Sequence, residues 1–186
     1  MIIYFTCHGQ TIWNKKGIIQ GHKDSSLTQK GIKSAEKKAK LLNKKGVEII
    51  YSSDLGRCAK TAEIINQWLE VKIVFTKKLR ERDFGKFNGK VYEKIKEKID
   101  LSNLNEKAPG GESLNQLRKR VISFIQSFFT KKFKKILLVT HGGPARTILI
   151  NYCQTDFKSK KIEVSQDAVY SLEQKGKEYK LKKVPR

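Results

Sequence analysis

Four short runs of β-branched and apolar residues alternate along this chain with stretches whose apolar residues recur at helical spacing. The runs are IIYFT (2–6), VEIIY (47–51), VKIVF (71–75) and ILLVT (136–140). Each is apolar at nearly every position, which reads as a strand covered on both faces. Between them, Ile32, Ala35, Ala39 and Leu42 share one helix face behind a Thr28 cap and ahead of Gly46. Cys58, Ala62, Ile65 and Leu69 make a second such face, and Leu114, Leu117, Val121, Ile125 and Phe128 a third. Pro144 lies at the first turn of a fourth helix carrying Ile148, Leu149 and Tyr152. AVYSLEQ (168–174) and YKLKKV (179–184) read as a closing pair of strands around Gly176. This alternation predicts an α/β fold, a three-layer α/β/α sandwich around a mostly parallel central sheet. The 186 residues contain no internal repeat and no linker-like break, so residues 1–186 read as a single domain.

The predicted sheet locates a site. Ligands of such sheets bind beyond the carboxyl ends of the strands. His8 and His141, two of only three histidines, follow the first and fourth runs and are each followed by glycine. Glycine there allows backbone amides to approach an anion, and a neutral imidazole is a phosphate nucleophile. Arg57, in YSSDLGRCAKTAEII, falls near a helix start, where free N–H groups favour anions. Glu81, in LRERDFGKFNG, falls in the loop after the third strand, where a carboxyl group can serve as general acid. Taken singly, each has a plainer reading as a loop hydrogen-bonder, a surface ion pair or a solvated carboxylate. Two His-Gly pairs on one rim are harder to explain that way.

The charge asks for a partner. Forty basic against 18 acidic residues give a net charge of +22. Only seven of the forty are arginine, and the lysines are scattered in short pairs such as Lys15-Lys16 and Lys44-Lys45. Nucleic-acid readout leans on arginine and stacking aromatics, so a solvated Lys-rich surface is expected, with nucleic acid not the expected partner. An anionic small substrate gains from this charge in either case. Cys7, Cys58 and Cys153 are an odd number without metal-ligand spacing, which fits reduced thiols. Cys58 and Cys153 read as core, Trp13 as packing, and His22 as a surface or mouth residue. No run reaches membrane-span length and the N-terminus has no signal-peptide pattern, so a cytoplasmic location and no membrane partner are expected. The sequence sets no oligomeric state.

The ordered blocks CHGQTIWN, GHKDSSLTQKG, YSSDLGRCAKTAEII, LRERDFGKFNG, PGGES and VTHGGPAR resemble the histidine phosphatase superfamily, in its phosphoglycerate-mutase-like branch, over nearly the full length. The resemblance implies a phosphohistidine intermediate on His8, with Glu81 protonating the leaving oxygen and then activating water. It also implies that Arg57, His141, Asn14 and Gly142 bind phosphate, while Gln20 and Gly21 line the substrate mouth. No cofactor and no metal are implied, since in-line phosphoryl transfer needs positioning and cationic donors. The substrate expected is a small-molecule phosphomonoester.

One motif departs from the pattern. The family's first motif reads Arg-His-Gly-Glu, whereas this chain has Cys7-His8-Gly9-Gln10. Loss of one preorganised donor typically costs about 3–4 kcal/mol, or roughly 10²–10³ in rate. A lysine elsewhere in the fold would compensate, though the sequence does not place one. Cys7 is not expected to be the nucleophile, because the arginine that a cysteine phosphatase loop needs six positions on is Trp13 here; it reads first as a lineage-specific or introduced substitution that weakens the grip on phosphate, and a redox switch is the lesser alternative. Only sixty positions separate Glu81 from His141, short for the insertion a mutase uses. Hydrolysis is therefore expected over mutase-like phosphotransfer. The alternative of another class is a catalytically impaired pseudoenzyme that binds a phospholigand or a protein, and a third is polyanion binding.

Overall fold

The apolar runs become the centre of a six-stranded mixed sheet. In a computed structural model of the protein, which describes residues 1–100, 102–130, 132–153, 164–176 and 178–185, strand β1 spans Ile2–Cys7 and β4 spans Lys135–Thr140. All but the first residue of each is buried. β2 (Ile49–Ser53) and β3 (Lys72–Thr76) extend the sheet on one side, and β5 (Val169–Lys175) and β6 (Glu178–Lys183) on the other. The order is β3-β2-β4-β1-β5-β6, with β1 to β4 mutually parallel and β5 antiparallel to both of its neighbours. The expected mostly parallel sandwich is what forms.

Helices cover both faces. A short helix α1 (Ile12–Lys15) follows β1; α2 (Gln29–Leu42) and α3 (Gly56–Leu69) pack on one face; α4 (Leu114–Gln126) and α5 (Gly142–Cys153) pack on the other. Their starts are chemically marked. Thr28 caps α2 by accepting from Gly31 N–H, and Ser113 and Gln116 form a reciprocal capping box on α4. Leu42, Ile50, Cys58, Ile65 and Leu137 pack in one layer, and Ile3, Phe5, Leu117, Ile125 and Leu138 in the other.

Three sequence expectations need correction. VKIVF is an edge strand rather than a buried one: β3 pairs only with β2, and Phe75 is 48% exposed. The second strand begins two residues later than VEIIY implies, because Val47 and Glu48 lead into the ladder. Cys153 is exposed and is not core, because it is the last residue of α5 and lies outside that helix's buried positions.

No helix among the described residues is long and apolar enough to cross a membrane.

Candidate active site

Strand register brings the two histidines together. β1 and β4 are adjacent and parallel, with Cys7 opposite Thr140, so the next residue on each is a neighbour of the other. His8 N–H continues the ladder to the Thr140 carbonyl at 2.9 Å, and the two imidazole centroids stand 5.2 Å apart, edge to face. Both side chains are buried, His141 completely.

His8 is set in one tautomer. Its Nδ1 lies 2.7 Å from the Gly9 carbonyl oxygen. A carbonyl only accepts, so Nδ1 carries the proton and Nε2 keeps its lone pair. Burial, and then the nearby Arg57 charge, pull the His8 pKa down to about 3. The ring is therefore neutral at physiological pH. His141 is pushed the same way by the same two causes. Its Nε2 is 2.8 Å from Ser53 Oγ and 3.3 Å from Cys58 Sγ.

Arg57 is fixed by the loop after α1. Its NH1 donates to Asp24 Oδ1 (2.8 Å) and to the Lys23 carbonyl (2.7 Å), and its NH2 donates to the Gly21 carbonyl (2.8 Å). Among the described residues the buried Nε–H has no partner. The start of α3 is not open to anions as the sequence reading held, because the N–H groups of Gly56 and Arg57 donate to Asp24 at 2.6 and 3.2 Å. Gly9 also differs from its reading. A Cβ on Gly9 would collide with the Gly31 carbonyl of α2, so this glycine serves helix–loop packing, and its N–H goes to Thr61 Oγ1 at 3.0 Å.

Glu81 is held from several sides. Its carboxylate accepts Arg82 N–H at 2.8 Å and Gly143 N–H, on the first turn of α5, at 3.2 Å. His22 Nε2 donates to the Glu81 carbonyl at 3.0 Å while Nδ1 faces Asp83 at 3.3 Å, so His22 braces the loop. Arg120 of α4 donates to the carbonyls of Lys78 and Arg80, and Arg80 pairs with Asp54 through two bonds of 2.7 and 2.6 Å.

These elements enclose a cavity of about 310 Å³. His8, Arg57, Glu81, Asn14, Gln20, Gly21, Gly142 and Cys7 all line it, the predicted site less His141, which is packed behind His8. Asn14 Oδ1 is engaged by Thr11 N–H (3.0 Å) and Thr11 Oγ1 (3.0 Å), which turns its carbonyl to the cap and keeps its amide N–H groups as the donors available to a ligand. Ile18, Ile19, Phe84 and Val164 add apolar wall. Cys7 is a buried thiol pushed up to about 12, mainly by burial, so it stays protonated. Among the described residues no group of three His, Cys, Asp or Glu is placed to hold a metal ion.

Sequence reasoning missed Asp24, Ser53, Thr61 and Gly143, which reach the site residues across tens of positions. Asp24 lies within the quoted block GHKDSSLTQKG, so its position was available and its partner was not.

Residues 3–185 match the histidine phosphatase superfamily (branch 1). A Hydrogenobacter thermophilus protein named "Putative phosphoserine phosphatase 2" is 36% identical over 154 residues, covering 79% of this chain and 76% of that protein. A 2,3-bisphosphoglycerate-dependent phosphoglycerate mutase of Parvibaculum lavamentivorans is 28% identical over 187 residues, 91% of this chain and 89% of that one. Among solved structures, Bacillus stearothermophilus YhfR superposes with a TM-score of 0.86 at 28% identity, over 97% of this chain and 94% of the other.

Proposed function

The chain belongs to the histidine phosphatase superfamily, and from that premise we propose that it hydrolyses small phosphomonoesters through a phosphohistidine on His8. The observation that carries this reading is the His8 tautomer. Nδ1–H is tied to Gly9 O, and the free Nε2 belongs to a ring that lines the cavity beside Arg57 and Glu81.

In the first step the Nε2 lone pair attacks phosphorus and the ester P–O bond breaks in line. The leaving oxygen takes the proton of a Glu81 carboxylic acid. In the second step the Glu81 carboxylate removes a proton from water, whose oxygen displaces Nε2, and inorganic phosphate leaves. Arg57 Nε–H and the Asn14 amide are the donors for the phosphoryl oxygens, while His141, packed behind His8 with its Nε2 on Ser53 and Cys58, backs the nucleophile. The cavity volume suits a small ester, and its apolar wall receives the leaving group.

A generic aryl phosphate, assayed at pH 5 to 8 with and without a chelator, tests the reading. Phosphate release that survives chelation and vanishes in His8→Ala, with an acid-labile phosphoryl group trapped on the wild-type protein, is expected. Bisphosphoglycerate-dependent isomerisation without net hydrolysis would overturn it in favour of mutase chemistry. Cys7 favours a second reading, a phospholigand-binding module without turnover, because the family's arginine is missing there. That reading predicts tight binding of inorganic phosphate and no kinetic effect of removing His8.

A further inference from the structure

Lys38 occupies an unusual position for a lysine. It lies on the inner face of α2 with Ala35, Ala39 and Leu42, is only 2% exposed, and should by its spacing be apolar. Its stem fills that place, yet its ammonium is buried at the carboxyl end of β1. There Nζ donates to the carbonyl oxygens of Cys7 and Gln166, each at 2.8 Å. Both of those residues line the candidate active site. An ammonium has three donors, and among the described residues the third has no partner. A buried cation with incomplete hydrogen bonding is costly unless an anion offsets it.

We propose that Lys38 is a positioning residue that supplies, from the neighbouring helix, the positive charge that the first motif lost when cysteine took position 7. The inference rests on the reading of His8 as the phosphoryl acceptor. The missing arginine would stand beside the nucleophile, and Lys38 places its charge on the backbone of that same residue. Its field reaches the imidazole: Arg57 and Lys38 are the two cations that depress the His8 pKa. A phosphoryl dianion at His8 would balance both. By joining Cys7 O to Gln166 O, the ammonium also ties the end of β1 to the segment leading into β5, two parts of one cavity wall.

The groups facing Lys38 make its titration legible. They are Cys7 and His8 at the end of β1, Cys58 on α3, and Asp167 before β5, which accepts from Ser34 at 2.6 Å. Burial lowers the Lys38 pKa to about 8, whereas it pushes Cys7 up to about 12 and raises Cys58 well above its ordinary value. Neither thiol changes charge near pH 8. Loss of the Lys38 proton should therefore appear as an alkaline limb in kcat/KM, which reports the free enzyme.

The experiment measures aryl phosphate hydrolysis from pH 5 to 9.5, and orthovanadate affinity, in the wild type, Lys38→Met, Lys38→Arg, Cys7→Arg and the Cys7→Arg/Lys38→Met double variant. Lys38→Met is expected to lower kcat/KM and vanadate affinity roughly 10- to 100-fold and to abolish the limb near pH 8. Lys38→Arg, charged throughout this range, should recover most of the activity and move the limb out of range, and it keeps the test decisive if the methionine variant does not fold. In the Cys7→Arg background the loss should shrink to roughly threefold or less, because the two cations replace one another. An equal loss in both backgrounds, or a limb that persists without Lys38, overturns the proposal and leaves a purely structural lysine. If the wild type releases no phosphate, the hydrolase reading fails on its own, and the same vanadate comparison still decides for or against Lys38.

Discussion

The Glu81 carboxylate packs directly against the backbone of Gly143: Gly143 N–H donates to Oε2 at 3.2 Å, and the space a Cβ would need there is filled by Oε1. Position 143 is in the first turn of α5, where alanine would otherwise improve helix propensity by about 1 kcal/mol. The added Cβ would also press on the buried Leu117 Cδ2 at 3.2 Å, which offsets that gain, so Gly143→Ala should leave thermal stability little changed while pushing the carboxylate out of place. A fall in kcat of roughly 10²-fold with orthovanadate affinity nearly intact is expected. Parallel loss of both would show that Gly143 shapes the whole pocket and not the acid alone.

Stability should fall in acid because the two neighbouring imidazoles are buried uncharged. His8 is held down to about 3 and His141 well below its ordinary value. Unfolded histidines take up protons below about pH 6.5, and the folded ones do not. The unfolded state then binds more protons, so stability is complete above that pH and declines as pH drops toward the folded values. Each histidine contributes a slope of about 1.4 kcal/mol per pH unit in that window. Urea unfolding at pH 7, 6, 5 and 4.5 measures it. His141→Gln should halve the slope whatever its effect at pH 7, and an unchanged slope would place the acid sensitivity elsewhere.

What the sequence discloses and what it conceals follows from how each feature is made. β1 and β4 are legible because a strand covered on both faces must be apolar almost throughout. Once they pair in register, His8 and His141 are neighbours with nothing further to assume. VKIVF has the same composition, yet strand order puts it at the edge, and order is not local. Asp24, Ser53 and Thr61 act through contacts across tens of residues and leave no spacing to detect. Gly31 did leave a trace: a glycine in the first turn of an amphipathic helix signals a close approach, here to the Gln10 backbone. Lys38 left another, as the one charge among the buried residues of α2.

The three thiols should react very differently. Cys7 and Cys58 are buried and Cys153 is exposed. Burial raises the pKa of both inner thiols, which suppresses the reactive thiolate. Ellman's reagent should therefore label one thiol per native chain and three in denaturant, and Cys153→Ser should remove the native signal. Modification of Cys153 is expected to leave hydrolysis unchanged. Rapid labelling at Cys7 would contradict the buried geometry and return a redox role to consideration.

Asp24 separates anchoring from charge at the phosphate end of the site. Its carboxylate holds the Arg57 guanidinium at 2.8 Å and also accepts the first two N–H groups of α3. Removing it does two opposed things: it takes away a negative charge that competes with a bound anion, and it loosens the arginine, which keeps only the Lys23 and Gly21 carbonyls. Asp24 is 38% exposed, so solvent screens its charge and the anchoring effect should prevail. Asp24→Asn removes the charge and gives up the Gly56 N–H bond, because its Nδ2 cannot accept, while its Oδ1 still holds Arg57, so it should bind orthovanadate about as tightly as the wild type. Asp24→Ala loses the helix cap, at about 1–2 kcal/mol of stability, and leaves Arg57 NH1 on the Lys23 carbonyl alone, with vanadate affinity falling roughly tenfold. Equal weakening in the two variants would mean that the carboxylate charge, through its hold on the guanidinium, sets phosphate affinity more strongly than the shape of the anchor does.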